Sequence, residues 1–548
     1  MADSAPARSD RAWIALLWLA GLGVFTAYFE GVLGGRPAYW TDTYEYAQSA
    51  RAFAETGRLV THACSVLEFW FLYQGTVPVP YFFHDVGNTL LVASTFRVFG
   101  ASDATIPLAS GALFSLLPPL VFVVARRLFD RRTGLLAAIL TVGNPQLVTF
   151  SATGLSEVPT AFLTMLSLGL LLPRASARRA IAAGATFGAL IVLRSSFVAC
   201  LPWMLALLWW REDDGVPPAG RRSLARITWF LAGVAIFAVP NAVRCYAVSG
   251  RPLFAVASYP MSLSATDAIH GKAKTLYSLP GYDVATEPYL AAHPWQLVRK
   301  GGIELRRLID ELEGGGLAVG DAWALPILFF LFLLANLSPR DAEPSDDRRF
   351  RRIVLLMFLT PIAVGLFFQV RLRYLYPFIP VILVYDAELL CRVLSGGSVS
   401  RWKVAGRLVF VALALSLLPM RLGADLPEEA AYAWPRDDYL RALGAFVQEN
   451  TERGAIVLAP LLELKPLGWY TRRDIVEASD YTRKALQEHR ERGPLFQLLT
   501  SGPGRSKLAG VAYPGFTPVA RWESKAGEEA LLLREAVETA SPETGQGH

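Results

Sequence analysis

The sequence predicts a polytopic α-helical membrane protein that ends in a small α/β domain. Three observations predict it. Of 548 residues, 53% are hydrophobic and only 18% are charged, whereas soluble domains run nearer 25% charged. The apolar residues gather into runs close to the roughly 20 residues that a membrane helix needs. Charge is also unevenly spread: residues 425–548 hold 15 Lys and Arg against 19 Asp and Glu, so the whole basic excess lies before them. The same composition excludes a disordered or collagenous chain, and four cysteines are too few for a disulfide scaffold.

Taken in order, the first apolar run is 13–33, preceded by Arg8 and Arg11. It is too long for the core of a signal peptide and is read as a retained anchor. Further spans are predicted at 105–125, 134–150, 159–173, 180–210 (two short spans broken near Arg194), 227–241, 321–337, 353–370, 374–391 and 408–423, about eleven in all. Lys and Arg accumulate in short cytoplasmic loops. With the N-terminus inside, the inner loops 1–11, 126–133, 174–179, 211–226, 338–352 and 391–407 carry 22 Lys and Arg against 10 Asp and Glu. This sidedness requires 83–99 not to cross; His84, Asp85, Asn88 and Arg97 interrupt it, so it is expected to be an interfacial helix. The membrane domain is then 1–423, with outer loops 34–104 and 241–320, and an outer α/β domain occupies 424–548. No glycine-rich nucleotide cradle occurs and the basic residues are scattered, so nucleotide chemistry and nucleic-acid binding are set aside.

The outer side carries few charged residues with a reason to be there. Asp42 follows the first span and precedes Ala47, Ala50, Phe53 and Ala54 at helical spacing; it is either a helix-start residue or an acid presented at the membrane surface. Glu157, in SATGLSEVPT, is either a favourable first-turn acid or a functional carboxylate in an otherwise apolar turn. Arg371 and Arg373 in QVRLRYLYPFIP, Arg244 in VPNAVRCY, and His84 form the basic set. Arginine suits bidentate binding of phosphate, and the alternative is snorkelling to headgroups. Outer carboxylates with outer arginines at membrane depth point to a lipid-phosphate substrate.

These segments, in this order, resemble the GT-C-fold membrane glycosyltransferases, in the branch of the protein O-mannosyltransferases and lipid A aminoarabinose transferases. DTYEYAQSARAFAETGRL is similar to the family's Asp-Glu-x-x-Tyr first-loop motif, with Asp42 at the catalytic base. FHDVGNTLL falls at its Lys- or His-Pro-Pro surface helix. The stretch from VVARRLFDRRTG to SATGLSEVPT resembles its inner basic turn and second outer acid. VPNAVRCYAVSGRPLF and RYLYPFIP resemble its Pro-Trp-x-x-Arg-Asn-Tyr and Arg-Tyr-x-x-Pro-x-x-Pro segments. The sequence departs from the pattern at Thr43, where Glu is frequent and Glu45 is the nearest acid. It departs again at Asp85 and Val86, which follow His84 in place of two prolines, and at Glu157, where Asp is commoner.

The resemblance implies transfer of a sugar from a polyprenyl-phosphate donor to a protein, lipid or glycan acceptor on the outer face of a bacterial inner membrane, with inversion. Asp42 would act as base and Glu157 would orient the acceptor or tune Asp42. Arg371, Arg373, Arg244 and His84 would hold the phosphate, and Glu45, Tyr46 and Tyr374 lie in the same motifs as additional candidates. No cofactor is implied with certainty. The outer-loop carboxylates could instead hold a divalent metal, as in the similar oligosaccharyl transferases, although no third acid is clearly placed for that role.

Two other functions would also combine many spans with outer-face charge. A flippase for lipid-linked sugars would carry charge along a path within the spans; an oligosaccharide ligase or polymerase would not call for the Asp42 and Glu157 pair. Trp295 opens a stretch of amphipathic character in the large outer loop, expected as a second surface helix or an interfacial aromatic anchor. In the last domain an amphipathic helix is expected at 437–452, followed by a strand in GAIVLAP and a turn and strand in WYTRRDIVEAS. Cys64 and Cys245 fall on the outer, oxidising side, where a disulfide between them is allowed.

Overall fold

A computed structural model describes the chain apart from residues 1–7, 39–40, 66–67, 70–71, 74–76, 173–175, 210–219, 254, 256–293, 315–344, 368–371, 396–425, 479–481, 484–485, 487–493, 502–511, 525–527 and 537–548. The described residues divide into two compact units. One is drawn from 1–38, 82–274 and 282–430, the other from 39–81 and 431–548.

The first unit is helical. Arg8–Thr26 continues through a π-helical turn, Ala27–Val32, and is followed by Val86–Phe99, Leu108–Leu128, Arg131–Val142, Pro145–Ser151, Glu157–Leu171 and Ala177–Leu193. The predicted 134–150 span is bent by 55° between Arg131–Val142 and Pro145–Ser151. Asn144 accepts a hydrogen bond from Leu147 N and starts the second helix, with Pro145 in its first position. The long 180–210 run breaks at Arg194, which is extended, and resumes as the 3₁₀ turn Ser195–Cys200 and the helix Leu201–Trp209. Gly220–Ser249, Pro294–Gly314, Ser345–Phe367, the 3₁₀ turn Leu372–Phe378 and Ile379–Ser395 complete the unit. Among the described residues three helical segments are long and apolar enough to cross a membrane, Asp10–Val32, Asp103–Leu128 and Ser223–Ser249; the bent pair makes a fourth if taken as one span. Val86–Phe99, with 14 residues, is shorter than a span. The expected spans at 321–337 and 408–423 lie outside the described residues.

Backbone contact joins Ala177–Leu193 to Gly220–Ser249. A Cβ at Gly184 would run into the Phe230 carbonyl oxygen, one at Gly188 into that of Val234, and one at Gly233 into that of Ile181. Small residues let membrane helices approach this closely. Gly184→Leu is therefore expected to destabilise the unit by about 1–3 kcal/mol or more, read as an earlier thermal melt in detergent.

In Pro294–Gly314, Trp295 is 80% exposed, and Val298 and Leu305 are also exposed, while Lys300 and Glu304 pair on the buried side at 3.5 Å. This is the two-faced helix that the sequence predicts around Trp295.

The second unit is built on sheets. β1 (Val60–Thr61) pairs antiparallel with β3 (Val79–Pro80). A six-stranded sheet contains β2 (Ala63–Cys64), β4 (Ile456–Ala459), β5 (Asp474–Glu477), β6 (Leu495–Thr500), β7 (Phe516–Glu523) and β8 (Glu529–Glu535), in the order β2-β5-β4-β6-β8-β7. The first four strands in that order are parallel and the last two pairings antiparallel. β4 and β6 are buried throughout and nearly continuous in apolar residues, as central strands covered on both faces should be. Pro518 sits on the edge strand β7, beside a register shift, where no ladder donor is lost. The helix Leu426–Glu449 buries Tyr439, Leu440, Leu443, Phe446 and Val447 against this sheet, together with Leu464 and Leu467 of Leu461–Thr471. Residues 39–81, which the sequence reading leaves in the first outer loop, thus contribute a strand to the C-terminal sheet.

All four cysteines are free thiols. The disulfide allowed for Cys64 and Cys245 is not formed: Cys64 lies on β2 with its thiol 3.9 Å from the Ile475 carbonyl, and Cys245 lies in the Gly220–Ser249 helix of the other unit. Burial first, and then the neighbouring Glu68, push the Cys64 thiol well above its ordinary value, which favours the neutral, packed thiol.

Candidate functional site

Within the first unit, the short segment Phe82–Asn88 brings two of the outer-face candidates, Arg244 and His84, onto neighbouring residues. The Arg244 guanidinium lies over the Phe82 ring, 4.2 Å from its centroid. His84, two residues on, meets Phe83 edge-on at 4.8 Å. Asp85 accepts a hydrogen bond from Ser195 N at 2.7 Å. Gly87 brings this chain against the end of the Ala177–Leu193 helix so closely that a Cβ would lie 2.7 Å from both Leu193 N and Val192 O. Asn88 is buried and donates to the Gly154 carbonyl at 2.9 Å, tying the segment to the turn before Glu157.

That pattern accounts for the departure after His84. Two prolines there would offer no carboxylate to Ser195, whereas Asp85 holds the first residue after the break at Arg194. Burial pushes the Asp85 carboxyl above its ordinary value, and the hydrogen bond from Ser195 draws it back down.

Glu157 begins the helix Glu157–Leu171 and is only 2% exposed. Sequence reasoning treats it as a lone carboxylate; the structure gives it a partner. Arg194 Nη2 donates to Glu157 Oε1 at 3.0 Å and to Ser156 Oγ at 3.4 Å. The second carboxylate oxygen is buried and has no hydrogen-bond partner among the described residues. Arg194 is the functional candidate that sequence reasoning passes over, reading it only as the break in an apolar run. The signal was present, because an arginine within such a run must face a partner or a cavity.

Asp42, Glu45 and Tyr46 belong to the second unit, on the helix Thr41–Thr56. The helix is found where the sequence predicts it, with Asp42 in its first turn, half-buried, and Glu45 and Tyr46 buried. Ala47 and Ala50 have no exposed surface. Asp42 and Glu45, three residues apart, share a face.

Of the remaining candidates, Arg371 lies outside the described residues. Arg373 and Tyr374 fall in the 3₁₀ turn Leu372–Phe378, which precedes Ile379–Ser395 and includes Pro377. The turn packs inward through Tyr376, which meets Phe150 edge-on at 5.1 Å, and through Phe378 between Phe197 and Phe358.

Residues 87–243 match the family model of the dolichyl-phosphate-mannose-protein mannosyltransferases. A search of curated protein sequences finds no match. Among solved structures, ArnT from Cupriavidus metallidurans bound to undecaprenyl phosphate is similar over 98% of this chain and 100% of that one, with a TM-score of 0.54 and 14% identity. The Archaeoglobus fulgidus oligosaccharyltransferase in its apo form is similar over 90% of this chain and 70% of that one, with a TM-score of 0.54 and 14% identity. The mycobacterial arabinofuranosyltransferase AftD is similar over 98% of this chain but only 42% of its own, with a TM-score of 0.50 and 15% identity. The chain is thus an integral membrane protein with the GT-C fold that these solved membrane proteins share, and its residues 87–243 are similar to the mannosyltransferase family model.

Proposed function

We propose that the protein transfers a sugar from a polyprenyl-phosphate donor to an acceptor hydroxyl outside the membrane, with inversion at the anomeric carbon. The observation that carries this reading is the segment Phe82–Asn88. It gathers an arginine at Phe82, a histidine, the turn before a buried carboxylate and the backbone beside that carboxylate's arginine. Likeness to a protein bound to undecaprenyl phosphate supports the donor class.

In this mechanism Asp42 takes the proton from the acceptor hydroxyl as its oxygen attacks the anomeric carbon. The bond from that carbon to the phosphate oxygen breaks, and the polyprenyl phosphate leaves with the bonding electrons. A phosphate is a good leaving group, so the protein needs cations on its developing charge more than it needs an acid. Arg244, Arg371 and Arg373 serve that role, with His84 two residues along the chain from Phe82, on which Arg244 stacks. Glu157, fixed by Arg194 through one oxygen, offers its other oxygen to orient the acceptor.

The N-terminus is cytoplasmic and the C-terminal domain outside. Contacts that join segments assigned to one side support this. Asp10 pairs with Arg126 at 2.6 Å and approaches Arg131 at 3.8 Å, all on inner segments. Ala38 N donates to Ala152 O at 2.9 Å, and Glu157 meets Arg194, all on outer ones.

The test is transfer by the purified protein, in detergent, from a radiolabelled polyprenyl-phosphate sugar to a mixture of membrane-envelope acceptors. Label leaving the lipid for an acceptor is the expected result. Label that stays in lipid, but crosses the bilayer of reconstituted vesicles, would replace the proposal with transport.

A further inference from the structure

Lys465 sits in the C-terminal part of the chain, on the helix Leu461–Thr471, and is buried. Its ammonium lies 2.7 Å from Glu68 Oε2, 2.9 Å from the Ala63 carbonyl and 3.5 Å from Glu45 Oε2. Three acceptors match the three N–H donors of an ammonium group. Glu68 is itself held, since the same oxygen accepts from Ser65 N at 2.8 Å and Ser65 Oγ at 2.9 Å. Burial, the largest single influence on Lys465, opposes its charge, but Glu45 and Glu68 together outweigh it and hold the ammonium above its ordinary value.

Glu45 is one of several grips on the helix that presents Asp42. Tyr470 donates to the Tyr44 hydroxyl at 3.0 Å. Arg51 donates to the carbonyls of Trp469 and Gly468 at 2.8 and 3.2 Å, with its guanidinium 4.6 Å from the centre of the Trp469 ring. At Gly468 the two helices come so close that a Cβ would strike Gln48 and Ala63. Packing alone would lock this pair, and a buried ammonium between two carboxylates adds little stability over apolar residues of the same shape. What it adds is a fixed charge on the face that Asp42 shares.

We infer that Lys465 is a positioning residue for sugar transfer: it holds Glu45 ionised and in place, and through Glu45 sets the orientation and proton affinity of Asp42. The C-terminal domain is then a working part of the transfer step. This rests on the reading of Asp42 as the base.

The experiment measures kcat, donor KM and the pH–rate profile of purified full-length protein, using a labelled polyprenyl-phosphate sugar, for the wild type and for Asp42→Asn, Lys465→Met, Lys465→Arg, Glu45→Gln and the Lys465→Met/Glu45→Gln double variant. Lys465→Met should lower kcat on the order of tenfold to a hundredfold with donor KM within about twofold. Its acid limb should move up by about one pH unit, because carboxylates that lose a neighbouring cation protonate more readily. Lys465→Arg should recover part of kcat. Glu45→Gln keeps the Lys465–Glu68 pair, so it should fold even if Lys465→Met does not. It should move the acid limb down, because Asp42 loses a like charge three residues away, and the double variant should lie between the two. Wild-type kcat and profile in folded Lys465→Met, or an unmoved acid limb in Glu45→Gln, overturns the inference while leaving the reading of Asp42 intact. An active Asp42→Asn, or a wild type that transfers nothing, overturns that reading and the inference with it.

Discussion

Asp42→Asn is expected to give a folded protein that still holds its lipid donor and transfers sugar about 10²–10⁴ times more slowly. The substitution separates the two meanings of an acid at this position. Asp42 lies in the first turn of Thr41–Thr56, where a negative charge steadies a helix by about 0.3–1 kcal/mol. Asparagine keeps the side-chain shape and one carbonyl oxygen, so a purely structural Asp42 predicts a slightly lower melting temperature and nearly normal transfer. A catalytic Asp42 predicts the reverse, since an amide cannot accept the acceptor's proton at any pH the enzyme experiences. Donor retention is measured by co-purification of labelled lipid, and transfer by release of its sugar. Near-normal turnover in Asp42→Asn would assign the residue to the helix alone.

The features legible in the sequence are those with a local cause. The break at Arg194 shows because a charged residue interrupts an apolar run, and the Val86–Phe99 helix because polar residues precede a stretch too short to span. The strand at Ile456–Ala459 is likewise visible as a β-branched apolar run between a helix and a proline. What stayed hidden depends on distant pairing. β2 is two residues long, too short for any period, and becomes a strand only because β5, some 400 residues later, offers it a parallel edge. The departures after His84 look like loss of a motif in one dimension, yet Asp85, Gly87 and Asn88 each answer a backbone group or a close approach from elsewhere in the fold. Lys465 carries no signal in the sequence, because its partners Glu45 and Glu68 lie some 400 residues away and only the fold places them beside it.

Arg194→Leu is the second change with a large expected effect. Arg194 and Glu157 are 37 residues apart and meet at 3.0 Å, with the carboxylate almost fully buried and the guanidinium mostly so. Removing one member of a buried ion pair strands the other, at a cost of about 3–5 kcal/mol, so Arg194→Leu should melt well below the wild type and lose transfer. Loss of activity alone would not distinguish a collapsed site from a missing functional group. The double variant Arg194→Leu/Glu157→Leu does, because it removes both charges and replaces them with apolar volume, which often restores stability. If Glu157 orients the acceptor, the double variant should regain most of the melting temperature, still retain labelled donor lipid, and remain inactive. Glu157→Gln should fall between, since its amide oxygen can keep the hydrogen bond from Arg194 and its NH₂ group can only donate to the acceptor. A double variant that recovers transfer along with stability would make the pair a structural strut between Glu157–Leu171 and the end of Ala177–Leu193, and would leave Asp42 as the one carboxylate the chemistry requires.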